Sequence, residues 1–156
     1  MRLSEILTVE RIHANAAELS DAAQVLQELA RLLGSGAECD EAVVLRLLKE
    51  REQLLSTGIG DGVAIPHTPV PGLSGQRAAL VLCPQGIEFD AIDQQPVRIF
   101  FGVIGPKSAA SEHLKILAKL SRLLRSSETR RRLLDSNGPK GAYSLIEEHE
   151  SSSIMP

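Results

Sequence analysis

Apolar residues recur at helical spacing in the first and last parts of this chain, and in nearly continuous or alternating runs between them. A short extended segment near Ile12 is followed by a predicted helix from about Ser20 to Leu33, which Gly34 and Gly36 end. Asp40 is placed to cap a second helix, in which Val44, Leu47, Leu48, Leu54 and Leu55 form an apolar stripe. Arg51 falls on that stripe, three residues after Leu48 and four after Leu47, so a helix reaching this far turns the guanidinium toward the protein.

The middle of the chain reads differently. Val63 to Ile65 predicts a short buried strand, and Pro66 fixes the chain entering His67. After a PxxPG turn comes the apolar run Ala78 to Cys83, and Gly86-Ile87-Glu88-Phe89-Asp90 alternates as a half-buried strand or hairpin arm would. Val97 to Ile104, VRIFFGVI, predicts a central strand covered on both faces. A helix follows from about Ser111, with Leu117, Leu120 and Leu124 on one face, and two shorter helices beginning near Ser127 and Pro139 close the domain. Helices before and after a group of strands predict an α/β sandwich whose strand order and direction stay open. Residues 1–150 read as a single domain and residues 151–156 as a flexible, frayed tail.

Composition narrows the function classes. At 156 residues and 43% apolar content the chain can bury the core of one domain. A net charge of -3 argues against nucleic acid, and the densest basic run, Arg130 to Arg132, reads as a solvated helix face. Cys39 and Cys83 stand 44 positions apart with no CxxC spacing, which points to a reducing compartment. No run approaches the roughly 20 apolar residues that span a bilayer, so the expectation is a soluble, cytoplasmic protein without membrane insertion.

Candidate chemistry concentrates in RxxxxSTGIGDGVAIPH, Arg51 to His67. Gly58, Gly60 and Gly62 supply backbone freedom and amides, and the strand and proline after them hold an imidazole where a phosphate could meet it. A second histidine, His113, lies four, seven and eleven positions before Leu117, Leu120 and Leu124, in the first turn of its helix, where a neutral imidazole and anions are favoured. A nitrogen that accepts a phosphoryl group must offer a lone pair, and an ordinary histidine pKa of about 6.5 keeps the neutral state accessible. Phosphoryl transfer asks a protein mainly for positioning and charge compensation, which an imidazole acceptor, a second imidazole and a guanidinium can supply. Plainer readings stand beside these. His113 reads equally as a hydrogen-bonded core residue, Arg51 as a cap on the end of its helix, and the glycines as a surface turn. His13 and His149, in an edge segment and an acidic terminal helix, stay outside the site. No HExxH or Cys/His cluster completes a zinc site, so neither metal nor cofactor is expected.

RExLxSTGIGDGVAIPH, the later GIEFDAIDQQPV and the helix EHLKILAKLSRLL together resemble the enzyme IIA domain of the fructose, mannitol and nitrogen-regulatory type in the bacterial phosphotransferase system, over roughly residues 3 to 148. The resemblance implies a three-layer sandwich, a mixed sheet flanked by helices. It implies that His67 accepts a phosphoryl group on Nε2 from the phosphohistidine of a carrier, HPr or its nitrogen-branch counterpart. It further implies that His113 orients His67 and holds the phosphate, that Arg51 compensates its charge, and that Ser56, Thr57 and Asp61 support the phosphate site. Thr68, where glycine is often found, and the proline-rich Pro69 to Gly72 depart from the family pattern and reshape the rim without removing a chemical group.

The free-standing chain and the FDAIDxQPV wording resemble the nitrogen-regulatory branch, implying a switch that binds target proteins differently once phosphorylated. The alternative is a transport component passing its phosphate to a IIB domain; a third is a binding module that never carries phosphate. Both phosphorylated readings need an apolar rim around His67, for which Ile59, Val63, Pro69, Val70 and Leu73 are candidates, Val63 reading equally as core.

Overall fold

The computed structural model describes residues 1–34 and 38–154. Helix α1 (Leu3–Ile6) precedes strand β1 (Ile12–His13), and helices α2 (Ala22–Leu33) and α3 (Glu41–Leu54) follow. Short strands β2 (Gly58–Gly60), β3 (Val63–Ala64) and β4 (His67–Pro69) lead to the long strands β5 (Arg77–Ile87) and β6 (Val97–Gly105). Helices α4 (Ala110–Arg125), α5 (Ser127–Leu134) and α6 (Gly138–Ile154) complete the chain.

The sheet is mixed, in the order β1-β5-β6-β3-β2, with β4 also on β6. Strands β5 and β6 are antiparallel, while β1 runs parallel to β5, and β3 and β4 run parallel to β6. Val63 and Ala64 pair with Ile99 and Phe100, and His67, Thr68 and Pro69 pair with Val103, Ile104 and Gly105. The offset is the same throughout, so β3 and β4 are one interrupted strand on a single edge of β6. Pro66 keeps the interruption stitched, its carbonyl accepting from Val103 N at 2.9 Å.

Alternation along the strands divides the core between the two faces. Ala79, Val81, Cys83 and Phe100 pack with α2 and α3 in one apolar layer. Ala78, Leu80, Leu82 and Phe101 pack with α1, α4, α5 and α6 in the other. The result is the expected three-layer α/β sandwich.

The N-caps follow sequence logic. Asp21 and Asp40 accept from Gln24 N and Ala42 N at the starts of α2 and α3. Gly34 ends α2 as expected, its N–H bonding Ala30 O at 2.8 Å, whereas Gly36 lies outside the described residues.

Several elements differ from expectation. Helix α1 was not legible as a helix, being a single turn. Only Val44 and Leu48 of the α3 stripe are fully buried; Leu47 is half-buried, and Leu54 and Leu55 are exposed, because α3 ends at Leu54 and Leu55 has already left the helical period. The segment Gly86 to Asp90 is a hairpin arm only as far as Ile87, which pairs with Val97 of the antiparallel neighbour β6, and it forms no separate strand. Strand β5 runs through to Ile87 over an irregularity at Gly86 (φ 81°), after which Phe89 turns in to meet Phe100 edge-on at 5.1 Å. Helix α6 is no short closing helix but spans 17 residues, continuing to Ile154 past residue 150, where the expected tail begins.

Candidate functional site

His67 opens β4, and its Nδ1 lies 2.6 Å from the carbonyl oxygen of Ile65. A carbonyl only accepts, so Nδ1 carries the proton and Nε2 the lone pair. The ring is half-buried, and burial lowers its pKa; the Arg51 charge pushes in the same direction, against the bond to Ile65. His67 is therefore neutral near pH 7, with a nucleophilic nitrogen free of its backbone anchor.

That anchor is itself held. Ile65 N donates to Thr57 O at 3.1 Å, and Thr57 is gripped by Glu52, whose carboxylate oxygens each accept from Thr57 N at 3.2 Å while one takes the Thr57 hydroxyl. Burial raises the Glu52 pKa, and the Thr57 bonds pull it back down. Glu52 was not singled out in the sequence. Its only signal there is a position five residues before Thr57, at the last turn of a helix.

His113 is in the first turn of α4, its ring centroid 5.6 Å from that of His67 and tilted by 47°. Burial, then the proximity of His67, lowers its pKa, so two neutral imidazoles stand side by side. Its Nδ1 meets the carboxamide oxygen of Gln76 at 3.0 Å. Gln76, nearly fully buried ahead of β5, is a second residue that sequence reasoning missed, and no local pattern marks it.

Arg51 takes the capping position considered for it. Its Nη1 donates to Leu55 O at 2.8 Å, closing the end of α3, and its charge still acts on His67. The supporting turn is tied to its neighbours. Ser56 Oγ donates to Phe89 O and accepts from Gly58 N, the Thr57 groups go to Glu52, and Asp61 N donates to Asp93. Three successive residues, Gly60, Asp61 and Gly62, have positive φ of 97°, 57° and 76°, a path that needs glycine at two of them. The amides of Thr57, Gly58 and Asp61 are thus already taken, by Glu52, Ser56 and Asp93.

Of the expected apolar rim, Ile59 and Pro69 are exposed, but Val63, Val70 and Leu73 are core. Val63 is flanked by β2 and β6 in the sheet and packs in the apolar layer with α4, and Val70 N extends the β4 ladder to Gly105 O. Other apolar side chains replace them at the surface: Leu54, Leu55, Ile92 and Leu114 are exposed on segments that carry or flank the site. Among the described residues no helix is long and apolar enough to cross a membrane.

Comparison with known proteins places the fold and the family. A "Nitrogen regulatory protein" of Bradyrhizobium diazoefficiens is 33% identical over 146 residues, covering 94% of this chain and 95% of that protein. A "PTS system fructose-specific EIIA component" of Haloferax volcanii is 32% identical, covering 73% of this chain and 74% of that protein. The crystal structure of the nitrogen regulatory protein IIA-Ntr from Neisseria meningitidis superposes with a TM-score of 0.87 at 29% identity, covering 92% of this chain and 98% of that one. IIA mannitol from Escherichia coli shares the fold, with a TM-score of 0.75 at 18% identity over 89% of this chain and 97% of that one. The family model of the phosphoenolpyruvate-dependent sugar phosphotransferase system, EIIA 2, matches residues 5–149. The chain therefore belongs to the EIIA 2 family of that phosphotransferase system.

Proposed function

We infer that His67 is the phosphoryl acceptor of a IIA protein, charged on Nε2 by the phosphohistidine of HPr or of its nitrogen-branch counterpart, and that the chain acts mainly as a regulatory switch. Membership of the family carries a phosphoryl-carrier role. The observation that supports the acceptor is the commitment of Nδ1–H to Ile65 O, which leaves the Nε2 lone pair on a neutral ring. In the transfer that lone pair forms the new P–N bond as the carrier's P–N bond breaks, and the released electron pair returns to the carrier nitrogen. Arg51 supplies fixed positive charge. His113 holds the phosphoryl oxygens once it is protonated beside them, and Ser56, Thr57 and Asp61 support the group through the shape of their turn.

The exposed Leu54, Leu55, Ile59, Ile92 and Leu114 offer carriers an apolar contact surface around this centre. Replacing a neutral imidazole there by a doubly charged phosphoryl group changes which partner that surface accepts. The likeness to nitrogen regulatory proteins across nearly their whole length supports regulation of target proteins. The fructose-specific relative supports a second reading, transfer onward to a IIB domain for sugar uptake.

Phosphoryl transfer from phosphoenolpyruvate through enzyme I and each carrier, read by mass spectrometry at neutral to alkaline pH, decides between them. A single phosphate on His67, delivered faster by the nitrogen-branch carrier, is expected. Faster delivery by HPr favours transport, and no labelling by either leaves a binding module that never carries phosphate.

A further inference from the structure

Gln76 ends the turn before β5 with only 6% of its surface exposed. Its carboxamide lies in a slot over Gly105: a Cβ added at that glycine would come within 2.3 Å of both Gln76 Nε2 and Oε1. Gly105 is the last residue of β6 and pairs with Pro69, at the far end of the strand that His67 begins. The slot therefore fixes the amide relative to the acceptor strand.

The amide makes a costly choice. Its oxygen takes the Nδ1 side of His113, while its own Nε2 and the Nε2 of His113 are buried without a partner. A leucine or methionine would fill the slot and remove the unpaired amide nitrogen, but it would leave the His113 Nδ1–H without an acceptor, so the glutamine is explained by its bond to His113 and not by packing.

We propose that Gln76 is a positioning residue for phosphoryl transfer, whose carboxamide oxygen holds the Nδ1–H of His113 and so leaves Nε2 as the nitrogen that meets the phosphoryl group on His67. The proposal rests on His67 being the acceptor. Before transfer, His113 Nε2 carries a lone pair. As the doubly charged group arrives, His113 takes one proton from solvent at Nε2 and becomes an imidazolium that donates from both nitrogens, to the phosphoryl oxygen and to Gln76 Oε1. The charges acting on the histidine pair are Arg51 on His67 and His67 on His113, both opposing protonation until the phosphoryl group compensates them.

Ring ¹⁵N NMR of His113 in the full-length protein, without carriers, reads the tautomer directly. The wild type is expected to show Nδ1–H and an unprotonated Nε2; the opposite tautomer overturns the proposal. Gln76→Leu should mix the tautomers and slow His67 labelling about tenfold, the scale of one lost hydrogen bond, at unchanged KM for the carrier. Gln76→Glu should keep Nδ1–H and move the acid limb of the pH–rate profile to higher pH. Gly105→Ala, which displaces the amide, should reproduce Gln76→Leu and tests the same contact even if the leucine variant folds poorly. A leucine variant with wild-type tautomer and rate, or a glutamate variant that behaves like it, overturns the role. Absence of labelling in the wild type instead strikes the acceptor assignment and leaves the NMR test intact.

Discussion

Thr57→Val removes one hydroxyl from the grip of Glu52 while keeping the volume of a side chain that is 4% exposed. The lost bond runs to a carboxylate, and such bonds contribute about 1.5–3 kcal/mol. Thr57 N still reaches both Glu52 oxygens at 3.2 Å, so the lower end, about 1.5 kcal/mol, is expected. For a domain of this size that corresponds to a Tm lower by about 3–6 °C. The penalty has a pH signature. Burial places the Glu52 pKa in the folded state above its ordinary value of 4.5, so the folded form binds more protons there and loses stability as pH rises through that window. The Thr57 bonds hold that rise down, and removing the hydroxyl raises the folded pKa further. The valine penalty is therefore small near pH 4.5 and grows as pH rises through the Glu52 titration. Urea unfolding followed by circular dichroism at pH 4.5 and pH 8 measures both values, with Thr57→Ser as a variant that keeps the hydroxyl. A penalty independent of pH, or equal in the serine and valine variants, refutes the clamp.

Other expectations are as specific. His67→Ala should abolish phosphate incorporation while leaving the circular dichroism unchanged; persistent labelling would show that another residue is the acceptor. His113→Ala should slow labelling by about ten- to a hundredfold, the range of one charge-assisted bond, without removing it. Because the folded-state pKa values of His67 and His113 both lie below the ordinary histidine value, the unfolded chain binds more protons between those values and about 6.5, and stability falls as pH drops through that window. A His67→Gln/His113→Gln protein should show a flatter dependence of its urea midpoint on pH, and an unchanged slope would count against neutral imidazoles. Leu48→Ala, at a fully buried position of α3, should cost about 2–5 kcal/mol in urea unfolding, and a loss below about 1 kcal/mol would mean the layer repacks.

What was legible in the chain follows from which forces are local. The strand Val97–Gly105 and the α2 and α4 faces were readable because burial imposes a period on apolar residues, and the cap at Asp40 because its bond spans only two residues. His67, His113 and Arg51 were found as residues whose polarity or placement conflicted with those periods, together with the family resemblance. Glu52 and Gln76 were not, for opposite reasons. Glu52 looks like any surface carboxylate near a helix end until the chain reverses and Thr57 meets it. Gln76 acquires meaning only from Gly105 and His113, which are 29 and 37 residues away. The exposed rim was misjudged at Val70 and Leu73, and left open at Val63, because short apolar segments do not reveal whether a strand has a neighbour on each side.

The uninterrupted offset of β3 and β4 along β6 bears on how this chain can change length over evolution. Insertions or deletions in the segments at 71–75 and 88–96 lie outside the pairs between β4 and β6 and leave that register unchanged. A single residue gained or lost between Val63 and His67, with Val63 kept in place, would put the neighbouring residue opposite Val103 and send the imidazole to the other face of the sheet, away from His113. The site can therefore drift in composition around His67, as Thr68 and the prolines after it already show, but its spacing from Val63 is fixed in whole residues.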